Sequence, residues 1–136
     1  MKIEPVKKMF LGGTCAGPKW RDQFIPTVKC KCYNPIVPNC SESDRLREVY
    51  ERETSDIILY TITNGMKGVY SIAEIVDDSN KRPKKSIFCN LYRDDGTPET
   101  IQMSISIKAT EELLKANGVL CFDNLKDVSD YVNSIC

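Results

Sequence analysis

The sequence predicts an α/β protein in which helices cover both faces of a five-stranded, parallel, doubly wound sheet. Short apolar runs alternate with segments of helical periodicity, a pattern typical of parallel sheets with right-handed crossovers. Residues 56–62 are apolar almost without alternation, which favours a strand covered on both faces. The 136 residues and their 41% apolar content fit one domain, residues 1–136, with a single core.

The first part of the chain contains two strands and two helices. The predicted elements are a strand over residues 7–11, a helix within 19–28, a strand over 30–33 and a helix opening at Ser41. Asp44 stands three residues after Ser41, as in a capping box. We expect this helix on the surface, because its apolar stripe is narrow and consists of Leu46, Val49 and Tyr50.

The second part continues the alternation. The predicted elements are a strand over residues 56–62, a helix from 71 to about 80, a strand over 86–92, a loop over 93–98, a helix around 106–117, a strand over 119–122 and a helix over 125–135. Pro83 ends the turn after the third helix. Gly118 suits a left-handed helix C-cap.

Charge and hydropathy narrow the classes of partner. Nineteen basic residues balance nineteen acidic ones, so net charge recruits neither a nucleic acid polymer nor an anionic membrane. No apolar run approaches the ~20 residues that span a bilayer, and the first residues lack the apolar stretch of a secretion signal. We therefore expect a cytoplasmic protein whose partner is a small polar ligand.

Cysteine and histidine usage limits the chemistry. The seven cysteines include no CxxC pair, and we expect most of them to be small buried hydrophobes in a reducing compartment. The sequence has no histidine, which excludes histidine triads, ligands and general bases. Acid–base chemistry must come from carboxylates, tyrosine, lysine or cysteine, and we predict neither a metal nor a cofactor.

Glu74 is the chief catalytic candidate. It enters a predicted helix directly after a glycine-containing loop that follows the third strand. Open α/β sheets bind their ligands beyond the carboxyl ends of central strands, where Glu74 would lie. A glutamate in a first helical turn also favours the helix dipole, so this structural interpretation stays open.

A glycine loop follows the first strand. Gly12, Gly13 and Thr14 begin the segment GGTCAG, whose backbone N–H groups can approach a phosphate or sugar closely. The segment is neither a Walker A loop nor a GxGxxG motif. It equally fits a loop that only turns the chain tightly.

Several segments together resemble the nucleoside 2-deoxyribosyltransferase-like family of bacteria and phages. They are FLGGT at 10–14 with WR at 20–21, YNPIVP at 33–38, YTIT at 60–63 and GVYSIAEIVDDSNKRP at 68–83. The match runs from about residue 9 to residue 91, and YSIAE with DDSNKRP is its most specific part. The resemblance implies a flavodoxin-like fold and chemistry at the N-glycosidic bond of a nucleoside or nucleotide.

The resemblance also implies roles for individual residues. The family's nucleophile is a glutamate at the start of the helix after the third strand, which matches Glu74. Its attack on the anomeric carbon would form a (deoxy)ribosyl-enzyme ester, which a second base or water would resolve with net retention. A hydroxyl from Tyr70 or Ser71 would orient the carboxylate. Family members complete their pockets across subunits, so we expect a homodimer or higher homo-oligomer, with the 80–83 turn or the C-terminal helix near the interface.

The sequence departs from the family at two positions. The aspartate six residues before the nucleophile is replaced by Gly68, and the aromatic residue at the end of the first strand is Phe10, which has no hydroxyl. A further family acid falls on Glu48, where a solvated helix face is the alternative. Base exchange, hydrolysis and a catalytically inactive nucleotide-binding protein all remain open.

Three further residues are binding candidates. Trp20 can stack on a base and Arg21 can make a bidentate contact with a phosphate, although Trp20 also suits the core. Asn34, just beyond the second strand, can bind a sugar hydroxyl or form an Asn-Pro turn.

Overall fold

A computed structural model describes residues 8–15, 19–36, 41–93 and 98–136, without the side chains of residues 98 and 99. These ranges contain five strands and five α-helices. The elements are β1 Lys8–Gly13, α1 Trp20–Phe24, β2 Lys31–Tyr33, α2 Glu42–Thr54, β3 Ile57–Thr63, α3 Tyr70–Lys81, β4 Ser86–Leu91, α4 Pro98–Ala116, β5 Leu120–Phe122 and α5 Leu125–Ile135.

The strands form one parallel sheet in the order β2-β1-β3-β4-β5. This order is flavodoxin-like and confirms the predicted fold class. The chain leaves β1 for β2 on one side and then returns to β3 on the other side of β1. The carboxyl ends of β1 and β3 therefore flank the switch point, where open α/β sheets bind ligands.

Apolar side chains fill both faces of the sheet. On one face, β1, β3 and β4 pack with α1 and α5 through residues that include Leu59 and Val128. On the other face, the same strands pack with α3 and α4 through residues that include Ile58 and Ile75. Every residue of β3 is buried, which confirms that this strand is covered on both sides.

The largest error in the predicted elements concerns α4. This helix begins at Pro98 and not near Ser106, so residues 98–105 are helical although no helix was predicted there. Proline suits the first helical position, because the first N–H groups of a helix have no intrahelical partner. Residues 94–97 of the predicted loop over 93–98 lie outside the described residues. Gly118 has a φ of +97°, which confirms the left-handed conformation after the helix.

The start of α2 agrees with its prediction. Ser41 and Asp44 form a reciprocal capping box, in which each side chain accepts the other's backbone N–H. The apolar stripe of this helix faces solvent, since Leu46, Val49 and Tyr50 are all exposed. The surface position of α2 is therefore confirmed.

The cysteines are less buried than expected. The six described cysteines are free thiols, of which only Cys89 is buried and Cys15 is exposed. Cys32 and Cys121 are half-buried because they lie on the edge strands β2 and β5, which have a neighbouring strand on one side only. Cys40 lies outside the described residues. Within the described ranges, no helix combines the length and apolarity needed to cross a bilayer.

Candidate active site

A cleft of about 270 Å³ opens at the carboxyl ends of β1 and β3. It joins segments that are distant in the sequence, among them the loop after β1, the middle of α2, the loop after β3 and the start of α3. Its lining residues are Gly12, Gly13, Thr14, Cys15, Arg21, Pro35, Glu48, Met66, Lys67, Gly68, Tyr70, Ser71 and Glu74. The structure thus brings together most of the predicted site residues.

The floor of the cleft is backbone that is fixed to β3. Gly13 has a φ of +110°, and a Cβ atom there would collide with the backbone of Thr61. Thr14 donates its N–H to the Thr61 carbonyl at 2.9 Å, and its hydroxyl accepts the N–H of Thr63 at 2.9 Å. Glycine at position 13 is therefore required for the close approach of β1 and β3, whatever ligand the cleft binds. Residues 16–18 of the predicted glycine loop lie outside the described residues.

Trp20 and Arg21 stabilise this loop by hydrogen bonds to its backbone carbonyls. The Trp20 side chain is buried in the core, and its indole N–H donates to the Thr14 carbonyl at 3.1 Å. The Arg21 guanidinium donates to the carbonyls of Leu11, Gly13 and Thr14 at 3.0, 3.3 and 2.8 Å. The core interpretation of Trp20 is confirmed. Arg21 does line the cleft, but these backbone carbonyls occupy its guanidinium.

Glu74 is buried beside the cleft with an 8% exposed side chain. The helix α3 begins at Tyr70, so Glu74 lies beyond the first turn, where the helix dipole gives little stabilisation. Its Oε2 accepts a hydrogen bond from Arg52 Nη1 at 3.1 Å. Among the described residues, no hydrogen-bond donor was found for Oε1. The carboxylate of this cleft-lining residue therefore has one oxygen held by Arg52 and one oxygen without a donor among the described residues.

A network of buried charges continues behind Glu74. Arg52 Nη2 lies 3.0 Å from Asp77 Oδ2, and Arg52 Nε lies 3.4 Å from Asp78 Oδ2. Asp78 is fully buried and accepts hydrogen bonds from the Tyr60 hydroxyl and from Arg82 Nε, both at 2.8 Å. Part of this network is visible in the sequence, because three carboxylates on one face of α3 favour a nearby cation. The sequence spacing of α2 does not distinguish Arg52 from the other charged residues of that helix.

The electrostatics of the cleft favour protonated carboxyl groups. Burial raises the pKa of Glu74 to about 7; Arg52 opposes this effect, while Glu48 and Asp78 add to it. Burial also raises the pKa of Glu48, against the pull of Arg52 and Arg21. The two carboxyl groups lining the cleft are thus suited to proton transfer near neutral pH.

The residues predicted to assist Glu74 or to bind the sugar lie in three different environments. Tyr70 is exposed at the rim of the cleft, whereas the Ser71 hydroxyl donates to the Gly13 carbonyl at 3.1 Å. Arg52 makes the contact with Glu74 that a hydroxyl was expected to make. Asn34 is exposed, and its Oδ1 accepts the N–H of Ile36 at 3.1 Å, as in an Asx turn. Its neighbour Pro35 lines the cleft instead.

The two departures from the family pattern lie in different environments. Gly68 is exposed at the rim, and a Cβ atom there would meet nothing within 4 Å. Phe10 is fully buried and stacks on Tyr33 with 5.8 Å between ring centroids. The first position has room for an acid, and the second belongs to the core.

Fold and cleft together define a flavodoxin-like α/β protein with a buried carboxylate at the edge where open α/β sheets bind ligands. Comparison of the sequence with protein-family models found no match, and comparison with curated proteins found none. The resemblance to the nucleoside 2-deoxyribosyltransferase-like family therefore stays a prediction. Among the described residues, no cluster of three or more cysteine or acidic side chains suited to a metal ion was found.

Proposed function

We propose that the protein cleaves the N-glycosidic bond of a nucleoside or nucleotide, with Glu74 as the nucleophile. The observation that carries this proposal is the position of Glu74 beside the cleft, with Oε2 bound to Arg52 and Oε1 available. A carboxylate that is fixed, partly desolvated and placed at the switch point is suited to attack an electrophilic carbon.

The reaction proceeds in two displacements. In the first, Glu74 Oε1 forms a bond to the anomeric carbon while the carbon–nitrogen bond to the base breaks, and the bonding electron pair leaves with the base. In the second, water or another base attacks the same carbon and releases the Glu74 carboxylate. The sugar leaves with net retention, as a hydrolysis product or as a new nucleoside.

Glu48 is the best candidate for protonating the departing base. It lines the cleft with Glu74, and burial raises its pKa, which favours the form that can donate a proton. The exposed ring of Tyr70 and the backbone floor at Gly12 and Gly13 offer contacts to the base and the sugar. Nucleosides and nucleotides are cytoplasmic metabolites, so we propose that the protein acts in the cytoplasm.

A binding protein without turnover is the second candidate, and one observation favours it. Gly68 leaves the rim without the acid that the family uses at the departing base. A protein that keeps the cleft but lacks this acid would bind a nucleotide and release it unchanged.

We also propose that the protein is a homodimer or a higher symmetric oligomer. One group of exposed apolar side chains lies on α2 and at the start of α3, and its members are Leu46, Val49, Tyr50, Val69 and Tyr70; other exposed apolar side chains lie on α4. Such a surface is typical of a protein interface. It differs from the expected location at the 80–83 turn or the C-terminal helix.

Incubation with a substrate panel tests these candidates. The purified protein is mixed with nucleosides, nucleotides and NAD, with and without a second base, and the products are separated by chromatography. Free base without a second base indicates hydrolysis, and a mixed nucleoside indicates transfer. Ligand that binds tightly and is recovered intact supports the binding protein, whereas no release and no exchange with any compound contradicts the enzyme.

A further inference from the structure

Arg52 is buried between α2 and α3, and three carboxylates of α3 converge on it. Its Nη1, Nη2 and Nε lie 3.1 Å from Glu74, 3.0 Å from Asp77 and 3.4 Å from Asp78. A planar guanidinium has donors in fixed directions and can face three carboxylates at once, unlike the compact ammonium of lysine. The arrangement therefore depends on arginine at this position.

A fixed anion lies beside the guanidinium: Asp78 Oδ2 is 3.4 Å from Arg52 Nε, and the two form an ion pair without a hydrogen bond. Asp78 is fully buried, and its two oxygens accept hydrogen bonds from the Tyr60 hydroxyl and from Arg82 Nε. Tyr60 belongs to the central strand β3 and is also fully buried. Arg52 is thus connected to the most rigid part of the sheet, and its position fixes where Glu74 Oε2 can lie.

We propose that Arg52 is a positioning residue for Glu74: its guanidinium holds Oε2 and leaves Oε1 as the oxygen presented to the substrate. This role rests on the proposed function, in which Glu74 attacks the sugar. Arg52 lines a smaller hollow of about 80 Å³ between α2 and α3, which shares Glu48, Tyr70 and Glu74 with the cleft. It therefore acts through Glu74, without contacting the reacting atoms.

The positive charge also keeps Glu74 reactive. Burial, Glu48 and Asp78 all raise the pKa of Glu74, and Arg52 lowers it. The other charged or titratable groups in this network are Asp77, Lys81 and Arg82 on α3 or at its end, and Tyr60 on β3. Only the ionised carboxylate can attack, so loss of Arg52 should leave Glu74 protonated, and inactive, over more of the neutral pH range.

Titration of Glu74 by NMR tests this role independently of turnover. The side-chain carboxyl carbons of glutamate are labelled with ¹³C, and Glu74 is assigned by its missing signal in Glu74→Gln. In Arg52→Gln we expect the pKa of Glu74 to rise by about 1–3 units. Arg47→Gln is the matched control, because it also removes an arginine from α2 but one that pairs with Glu51 and has no contact with Glu74 among the described residues; we expect it to leave the pKa within about half a unit of wild type.

Kinetics on the best substrate of the panel give the second readout. In Arg52→Gln we expect kcat to fall by roughly 10- to 100-fold with little change in KM, because binding contacts remain and only the attacking group is misplaced. The acidic limb of the kcat profile should move to higher pH by the same amount as the NMR titration. Arg52→Lys should restore the pKa while recovering only part of kcat.

The outcomes separate the two proposals. If wild type cleaves no substrate but the Glu74 pKa rises in Arg52→Gln, the enzymatic function fails and the hold on Glu74 stands. If wild type cleaves a substrate while folded Arg52→Gln keeps the wild-type pKa and pH profile, the positioning role is refuted alone. Circular dichroism establishes folding first; if Arg52→Gln does not fold, Arg52→Lys decides, and a wild-type kcat in that variant contradicts the positioning role.

Discussion

The two faces of the sheet bury different kinds of side chain. The face covered by α1 and α5 is packed with apolar side chains such as Leu59, Val128 and Val132. The face covered by α3 combines an apolar core with buried ions centred on Arg52 and Asp78. Arg21, a buried cation on the α1 side, is bound to backbone carbonyls and not to other charges.

This difference separates stability from chemistry. Apolar burial stabilises the fold by about 25 cal/mol per Å² of surface removed from water. Buried ion pairs often stabilise less than apolar residues of the same volume would, because the charges lose their hydration. The α1 and α5 face therefore supports the fold, whereas the network between α2 and α3 serves the carboxylate at the cleft.

The largest effect is expected from removing the charge of Glu74. Glu74→Gln keeps the size and most of the hydrogen bonding, so we expect an unchanged fold and a loss of glycosidic activity by about 10³-fold or more. Initial rates on the panel substrate measure the loss. Glu112→Gln, on the exposed side of α4, is the control and should behave as wild type. Activity near wild type in Glu74→Gln would place the nucleophile elsewhere.

A core substitution on the opposite face should affect stability and not chemistry. Leu59 is fully buried in β3, so Leu59→Ala should lower the free energy of unfolding by about 2–5 kcal/mol. Urea denaturation measures this change, and the kcat of the folded fraction should match wild type. Leu113→Ala, at an exposed position of α4, should change stability by less than about 0.5 kcal/mol. Equal losses in the two variants would contradict the assigned core.

The pH dependence of stability should reveal the buried carboxylate. The pKa of Glu74 in the folded protein is about 7, above its ordinary value of 4.5. Its contribution to stability is thus fully present below pH 4.5 and is lost as the pH rises through 7. Glu74→Gln lacks this loss, so its stability relative to wild type should increase between about pH 5 and pH 8, by up to about 3 kcal/mol. A constant or falling difference in urea denaturation would show that Glu74 titrates normally.

The open space at Gly68 allows a carboxyl group to be introduced at the rim of the cleft. Gly68→Asp places a carboxyl group at the rim without a collision. If an acid there assists the base, the ratio of transfer to hydrolysis should rise by about tenfold. Gly68→Asn is the matched control, since it has nearly the same shape without the proton-donating group. The same ratio in both variants would show that the acid is not needed.

The smallest effect concerns assembly and leaves the fold untouched. Light scattering at micromolar concentration should give a mass of at least twice the 15.4 kDa of one chain. Tyr50→Lys, on the exposed face of α2, should shift the mass toward the monomer, and Leu113→Lys on α4 should not. A monomeric wild type would refute the oligomer and leave Glu74 in a cleft built from one chain.

The sequence predicted the fold better than the site. The largely apolar β3 and the capping box at Ser41 are local signals, so the parallel sheet and most helix starts followed from such patterns. The start of α4 did not, because the residues after Pro98 show no clear helical periodicity. Glu74 was found through its place after a strand, whereas its contact with Arg52 depends on how two helices pack, which local patterns do not encode.

The floor of the cleft has a consequence for how this protein can diversify. Gly13 cannot carry a side chain, and both the N–H and the hydroxyl of Thr14 form hydrogen bonds with β3. The floor is therefore nearly the same molecular surface in any variant that folds. Changes in ligand preference must come from the walls, at positions such as Gly68 and Tyr70, which are exposed to solvent. The molecule thus divides into an invariant base and an adjustable rim, and libraries that randomise only the rim should yield folded proteins with altered selectivity.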